Sequence, residues 1–340
     1  MKALLCKQYG PPESLVLEDI PRPEPGEGQV LLRVRACGVN FPDLLLIENK
    51  YQERPTLPFS PGAEVAGDVI AVGPGVGSGS GSGGASRIRE GDRVIAMIGS
   101  RGFQEETLAD AERCIALPDS MDYETGAAFT LTYGTSYHAL FDRGRIAPGE
   151  TLLVLGATGG VGTAALDIAR NLGARAIAAG GNDAKLETVR RLYDVHDTVN
   201  YTSGEEPFKD RVNRLTGGRG ADVIYDPIGG ETFPQLLRCI AWEGRILVVG
   251  FAADGANLPQ ARTNLLLLKG SSLVGVFWGR FTRQSPARSA RNFDTLFGWH
   301  ADGRLRPHIS HRFRLDEGAE ALQALAERRV VGKCVVVMDN

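Results

Sequence analysis

Cysteine is scarce in this chain and follows no pattern. The five thiols, at positions 6, 37, 114, 239 and 334 of 340, include no Cys-x-x-Cys pair. Such scattering excludes a disulfide framework and a cysteine zinc cluster. It suits a reducing compartment, so a cytoplasmic location is expected. Long apolar runs are also missing, and none reaches the length that spans a bilayer. The N-terminal MKALLCKQYG has too short an apolar stretch for a secretory signal. Nor does one sign of charge dominate: 38 Lys and Arg face 41 Asp and Glu, a net charge of −3. Neither nucleic acid nor a membrane is therefore an expected partner. With 43% hydrophobic and 23% charged residues, the composition is that of a globular enzyme of one large or two smaller domains.

Glycine, in contrast, is abundant, and its densest functional cluster lies in the stretch 151–185. A short apolar run, Leu152 to Leu155, leads to Gly156, Gly159, Gly160 and Gly162. Val161, Ala165, Ile168, Ala169 and Leu172 then recur at helical spacing, Gly173 closes the helix, and Ala176 to Ala179 reads as a second strand. Strand, glycine turn, helix and strand make a βαβ unit. One glycine permits the tight turn, one lets the backbone approach a pyrophosphate, and one brings helix and strand close. The helix N-terminus offers N–H groups to the phosphates. Against G-x-G-x-x-G the chain reads Ala157-x-Gly159-x-x-Gly162, with Gly156 available for the turn.

The tip of the second strand bears on which dinucleotide is held. NAD binders place Asp or Glu there, about 20 residues after the turn, on the ribose 2′-hydroxyl. Here the tip is Ala178-Ala179-Gly180-Gly181-Asn182, without a carboxylate, and Lys185 comes three positions later. A missing acid and a nearby ammonium favour NADPH.

Along the chain, residues 1–40 alternate in short β runs between Pro/Gly turns, and Leu44 to Ile47 reads as a helix opened by Asp43. The Gly/Ser-rich stretch 73–86 reads as a surface loop within the first domain. Ala127 to Phe141 has a helical pattern. Strand-like runs then alternate with helices to about position 275, which predicts a doubly wound parallel sheet. The expected division is an α/β dinucleotide-binding domain over 125–265 and a β-rich catalytic domain formed by 1–124 with 266–340, a cleft lying between them.

Several segments together resemble the medium-chain dehydrogenase/reductase superfamily, in particular its zinc-independent quinone oxidoreductases, the zeta-crystallin-like enzymes. They are ACGVNFPDLLLIENKY (36–51), PFSPGAEVAG (58–67), GDRV (91–94), the glycine turn, and LRPHISHRFRLDEGAEALQALAERRVVGKCVVV (305–337). The resemblance implies a Rossmann domain beside a GroES-like catalytic domain, with NADPH as cofactor. Zinc-dependent members of the superfamily bind metal through a Cys where this chain has Asn40 and a His where it has Ala63, so no metal is expected. His308 and His311, spaced i, i+3, have no accompanying Cys or acid cluster and read as packing residues.

The resemblance also maps cofactor positions. Asn40, Thr130 and Tyr133 fall at the nicotinamide end, and Gly159, Gly160 and Val161 at the pyrophosphate turn. Gly181, Lys185, Tyr201 and Arg328 fall around the 2′-phosphate. Val249, Phe251 and Phe277 belong to strand-end loops flanking the nicotinamide. Hydride transfer needs position and a donor for the developing acceptor oxyanion. Asn40, Tyr51 and Thr130 are the catalytic candidates; Tyr51 has a phenol able to supply a proton. Asp43 is read as a helix cap. The expected activity is NADPH-dependent reduction of a quinone or similarly activated enone. The alternatives are enoyl-thioester reduction, with Arg280, Arg283, Arg288 and Arg291 on a phosphopantetheine path, and a non-catalytic NADPH-binding redox sensor. Leu265 to Leu268 and Ser272 to Phe277 are apolar, and since such an edge pairs with its copy in the enzymes this chain resembles, the resemblance implies a homodimer.

Overall fold

The computed structural model describes residues 1–77, 88–204, 206–253 and 258–338; most of the Gly/Ser-rich stretch lies outside them. Two compact units emerge, one from Met1–Thr130 with the C-terminal segment from Ile309, the other Leu131–His308.

In chain order the strands are β1 (Lys2–Leu5), β2 (Val16–Asp19), β3 (Gln29–Gly38), β4 (Glu64–Val72), β5 (Arg93–Met97), β6 (Glu106–Asp110) and β7 (Cys114–Ala116). The second unit adds β8 (Thr151–Val154), β9 (Arg175–Gly180), β10 (Asp197–Asn200), β11 (Ala221–Asp226), β12 (Ile240–Val248) and β13 (Ser272–Gly275). The strands β14 (Ile309–Arg314) and β15 (Lys333–Val337) return to the first. The helices are α1 (Phe41–Ile47), α2 (Tyr123–Tyr137), α3 (Gly160–Asn171), α4 (Asp183–Leu192), α5 (Phe208–Leu215), α6 (Phe233–Cys239), α7 (Thr263–Lys269), α8 (Trp278–Gln284), α9 (Pro286–Ala301) and α10 (Gly318–Ala326).

The first unit is β-rich. Its seven-stranded sheet runs β14-β15-β3-β4-β5-β7, with β6 also paired to β3. Ten residues long, β3 pairs with three partners: β4 along most of its length, β6 over Gln29–Arg33 and β15 over Ala36–Gly38. Its apolar residues, including Val30, Leu32, Val34 and Cys37, enter the core with Leu44, Ile47, Val65, Phe103 and Leu322. Two glycines allow the close packing. A Cβ on Gly38 would lie 1.9 Å from the Ala127 carbonyl oxygen, and one on Gly67 would lie 2.1 Å from that of Arg33.

The second unit holds a six-stranded, wholly parallel sheet in the order β10-β9-β8-β11-β12-β13. Counted from β8, this is 3-2-1-4-5-6, the doubly wound order, whose switch point lies at the carboxyl ends of β8 and β11. All four residues of β8 are buried, as a central parallel strand covered on both faces requires. The doubly wound reading of the sequence therefore describes this unit.

The division differs from the expected one. Residues 266–308 pack with the parallel sheet rather than with the β-rich unit, because β13 extends that sheet beside β12. Side chains tie the segment after β13 to the same unit. Asp142, in a π-helical turn at His138–Arg143, accepts bonds from Arg288 and Asn292 of α9, both at 2.8 Å. Phe281 of α8 stacks on His138 at 3.9 Å. The Asp167 carboxylate of α3 accepts the Arg306 N–H at 2.6 Å.

Candidate active site and cofactor cradle

In the second unit the turn after β8 takes the form its glycines predict. Gly156 has φ 57°, a left-handed backbone that favours glycine. A Cβ on Gly162 would stand 2.2 Å from the Gly156 carbonyl oxygen, so the first turn of α3 seats directly on the strand end. Gly159, the N-cap of α3, is different: a Cβ there meets nothing nearer than the Gly156 oxygen, at 3.5 Å. Protein packing thus leaves open the face of Gly159 that glycine keeps bare. Gly160 and Val161 begin α3, whose first N–H groups have no intrahelical acceptor. Ser136 Oγ donates to the Val161 carbonyl at 2.8 Å and lies 2.9 Å from the Tyr225 hydroxyl, fixing the helix start from beneath. These residues fit a pyrophosphate: a bare glycine face, free helix N–H groups and no carboxylate.

The neighbouring strand ends complete this edge. Gly180 is buried, and a Cβ on it would reach Leu186 at 3.0 Å and Thr158 at 3.4 Å. Gly181 is exposed and lies beside Tyr201 and Thr202. Asn182 caps α4, its Oδ1 accepting the backbone N–H of Lys185 at 3.0 Å, which puts Lys185 in the first turn of that helix. Tyr201 donates its N–H to the Gly180 carbonyl at 3.0 Å and sets its ring edge-on to Phe208. After β11 the Asp226 carboxylate accepts the N–H groups of Ile228 and Gly229, both at 2.9 Å. Val249 donates to the Asp226 carbonyl at 2.9 Å. Phe251 and Phe277 are exposed. The structure therefore gathers Gly159, Gly160, Val161, Gly181, Lys185, Tyr201, Val249 and Phe251 at the ends and following loops of β8, β9, β10 and β12. Tyr133 is buried, its hydroxyl donating to Asp167 at 2.8 Å; burial, reinforced by that carboxylate, pushes the phenol well above its usual range.

In the first unit one candidate, Asn40, belongs to a buried polar cluster. Asn40 is the N-cap of α1 and is 5% exposed. Its Nδ2 donates to Glu64 Oε2 at 3.1 Å and to the Gly38 carbonyl at 3.2 Å, and its Oδ1 accepts from Lys333 Nζ. Asp43 is fully buried, its carboxylate accepting the N–H of Asn40 at 2.8 Å and of Gly62 at 3.2 Å, so it does cap this helix, from the third helical position. Burial pushes the Asp43 carboxyl up to about 7, against the opposing pull of the Asn40 and Gly62 N–H groups and the Lys333 ammonium. Lys333 and Glu64, which the sequence reading passed over, complete the cluster, 3.7 Å apart. The one available signal was a charge at the head of a mostly apolar strand: Glu64 opens β4 and Lys333 opens β15.

Thr130 is 1% exposed, and its Oγ1 finds no hydrogen-bond partner among the described residues. Tyr51 packs, partly buried, against the first unit's core. Arg328 follows α10 with φ 55°, its side chain exposed. His311 stacks with Phe313 and touches Ser310, the packing role expected for it. Among the described residues, no three His, Cys, Asp or Glu side chains form a group that could hold a metal ion, and no helix is long and apolar enough to cross a membrane. The five cysteines are buried and unpaired.

Comparison with known proteins agrees with this geometry. Residues 26–119 match the alcohol dehydrogenase GroES-like domain and residues 160–293 the zinc-binding dehydrogenase domain. A quinone oxidoreductase-like protein 2 homolog of Nematostella vectensis is 38% identical over 339 residues, covering 98% of this chain and 88% of its own. The chain belongs to the quinone oxidoreductase-like family of the medium-chain dehydrogenases/reductases. Among solved members of that family, the Escherichia coli quinone oxidoreductase complexed with NADPH is 25% identical, with a TM-score of 0.89 over 99% of this chain and 100% of its own. A mycobacterial protein complexed with NADPH is 29% identical, again with a TM-score of 0.89, over 99% and 100%.

Proposed function

We propose that the protein is an NADPH-dependent, zinc-independent oxidoreductase that delivers a hydride to a quinone or a similarly activated enone. The observation that carries this reading is the contrast between Gly162, packed 2.2 Å from the Gly156 oxygen, and Gly159, whose open face fits a pyrophosphate at the start of α3. The β9 tip, Gly180-Gly181-Asn182, adds no negative charge against a 2′-phosphate, and Lys185 stands in the next turn. Tyr201 and Arg328 are the other proposed 2′-phosphate residues. The NADPH complexes of the two solved relatives support the same cofactor.

Bound NADPH supplies the hydride. The chain's own work is to bind, orient and exclude water. We assign Thr130, with its unpartnered buried hydroxyl, and Tyr51 as donors toward the nicotinamide end and the acceptor oxygen. Both amide N–H groups of Asn40 are engaged within its own unit, so its role there is that of an acceptor through Oδ1. Phe251 and Phe277 offer apolar surface to the nicotinamide flank. Zinc independence is supported by the Lys333 ammonium beside Glu64 and Asn40, since a second cation at that cluster would be repelled. The free thiols suit a cytoplasmic location. A homodimer is proposed through the edge strand β13, where Leu267, Leu268, Leu273 and Phe277 are exposed on the same unit.

The test is the acceptor dependence of NADPH oxidation by purified, chelator-treated protein. Steady oxidation with 1,4-benzoquinone and none with crotonyl-CoA is expected. Turnover with crotonyl-CoA alone would make the protein an enoyl-thioester reductase, and turnover with neither would favour a non-catalytic NADPH-binding role.

A further inference from the structure

The polar cluster around Asn40 contains an ion pair that the proposed chemistry does not use. Glu64 is 0% exposed and the Lys333 side chain 8%, and their charged atoms stand 3.7 Å apart. Taking both charges out of water is costly, and apolar residues of similar volume often serve stability equally well. The pair therefore calls for a role other than holding the fold together.

Its geometry supplies one. Lys333 Nζ donates to the Val39 carbonyl at 2.9 Å and to Asn40 Oδ1, while Glu64 Oε2 accepts from Asn40 Nδ2 at 3.1 Å. The three side chains come from β15, β4 and the loop between β3 and α1, and Lys333 and Asn40 are 293 positions apart in sequence. A carboxamide has two nearly isosteric orientations, and its neighbours decide between them. Here a cation faces the oxygen and an anion faces the nitrogen. The flipped amide would set oxygen against carboxylate and NH2 against ammonium. Gly38, whose carbonyl takes the second N–H, closes the arrangement.

We propose that Lys333 and Glu64 are positioning residues that lock the Asn40 carboxamide in one orientation, leaving the second lone pair of Oδ1 to accept a hydrogen bond from a donor on the bound ligand. This rests on the proposed function, in which Asn40 serves the nicotinamide end. So held, Asn40 has no N–H left for a developing oxyanion. Lys333 acts through Asn40 and does not itself touch the reacting atoms.

The test compares the wild type with Asn40→Ala, Lys333→Met, the double variant Lys333→Met/Glu64→Gln and the double variant Lys333→Gln/Glu64→Gln. Melting temperature, NADPH affinity by fluorescence titration, and kcat and KM for 1,4-benzoquinone are measured on each full-length protein. Lys333→Met alone is expected to lower the melting temperature, because the buried Glu64 carboxylate loses the ammonium that stands 3.7 Å from it. The Met/Gln double variant, neutral at both positions, is expected to regain it. Its kcat should stay about tenfold or more below wild type, near that of Asn40→Ala, while NADPH affinity changes by less than about threefold. The Gln/Gln variant restores an N–H toward Asn40 Oδ1 and should recover part of the lost kcat. Recovery of kcat together with melting temperature in the Met/Gln variant, or equal kcat in the two double variants, would show that the pair only balances charge. If Asn40→Ala itself keeps wild-type kcat, the reading that places Asn40 in the reaction falls, and the positioning inference falls with it.

Discussion

At the residue scale the most informative group is Asp43, a carboxyl with no exposure and two backbone N–H donors. Lys333, Glu64, Cys37 and Cys334 are its charged or titratable neighbours. Its folded pKa, about 7, lies above the ordinary 3.8, so between these values the folded protein binds more protons than the unfolded chain. The resulting stability is complete below the lower value and is lost as pH rises through the upper one. The unfolding free energy of the wild type, measured against Asp43→Asn at each pH, should therefore fall between about pH 4 and 7 and then level off, by an amount on the order of a few kcal/mol. A difference that stays flat across that window would contradict this. At the other end of the cofactor, Lys185→Ala should weaken NADPH binding by about ten- to a hundredfold, the equivalent of one charge-assisted hydrogen bond, and leave NADH nearly unchanged. Asn182→Asp is the complementary change. Asp caps a helix as well as Asn does, so the variant should fold normally while its added charge moves preference toward NADH. Gly180, tight against Leu186, is a poor place for that carboxylate.

At the scale of the element the glycine turn makes a paired prediction. Gly162→Ala puts a methyl 2.2 Å from the Gly156 oxygen, so α3 must shift off β8 and the melting temperature should drop. Gly159→Ala meets no protein atom closer than 3.5 Å at a φ of −89°, which alanine adopts readily. It should melt like the wild type yet lose NADPH affinity, because the methyl fills the face proposed for the pyrophosphate. Equal melting temperatures and equal affinities in the two variants would remove the basis for separating their roles. This turn was legible in the sequence because its constraints are local: strand, glycines and helix lie within a few residues of one another, and each glycine answers to backbone geometry. The Lys333–Glu64–Asn40 cluster was not legible. Its members are far apart in the chain, and a lysine before Cys334-Val335-Val336 reads as a solvated strand end until β15 is seen beside β3. The placement of 266–308 was missed for a related reason. Asp142 holding Arg288 and Asn292 is a contact between residues 146 and 150 positions apart in the chain.

At the scale of the whole molecule, β13 ends the parallel sheet, and Leu273 on it is 37% exposed, with Leu267 on the preceding α7 at 81%. Sedimentation should give a dimer at micromolar concentration, and Leu273→Lys, a charge on the open edge, should shift it toward monomer; a wild type that sediments as a monomer would refute the edge pairing. Elemental analysis should find well under one zinc per chain, and stoichiometric zinc lost together with activity would refute a metal-free reaction. The glycine turn and the β9 tip are proposed to hold NADPH. Titration of the wild-type protein with NADPH and with NADH tests this most directly. Saturable binding is expected, with NADPH tighter by about tenfold or more; equal affinities, or binding of NADH alone, would refute the NADPH assignment.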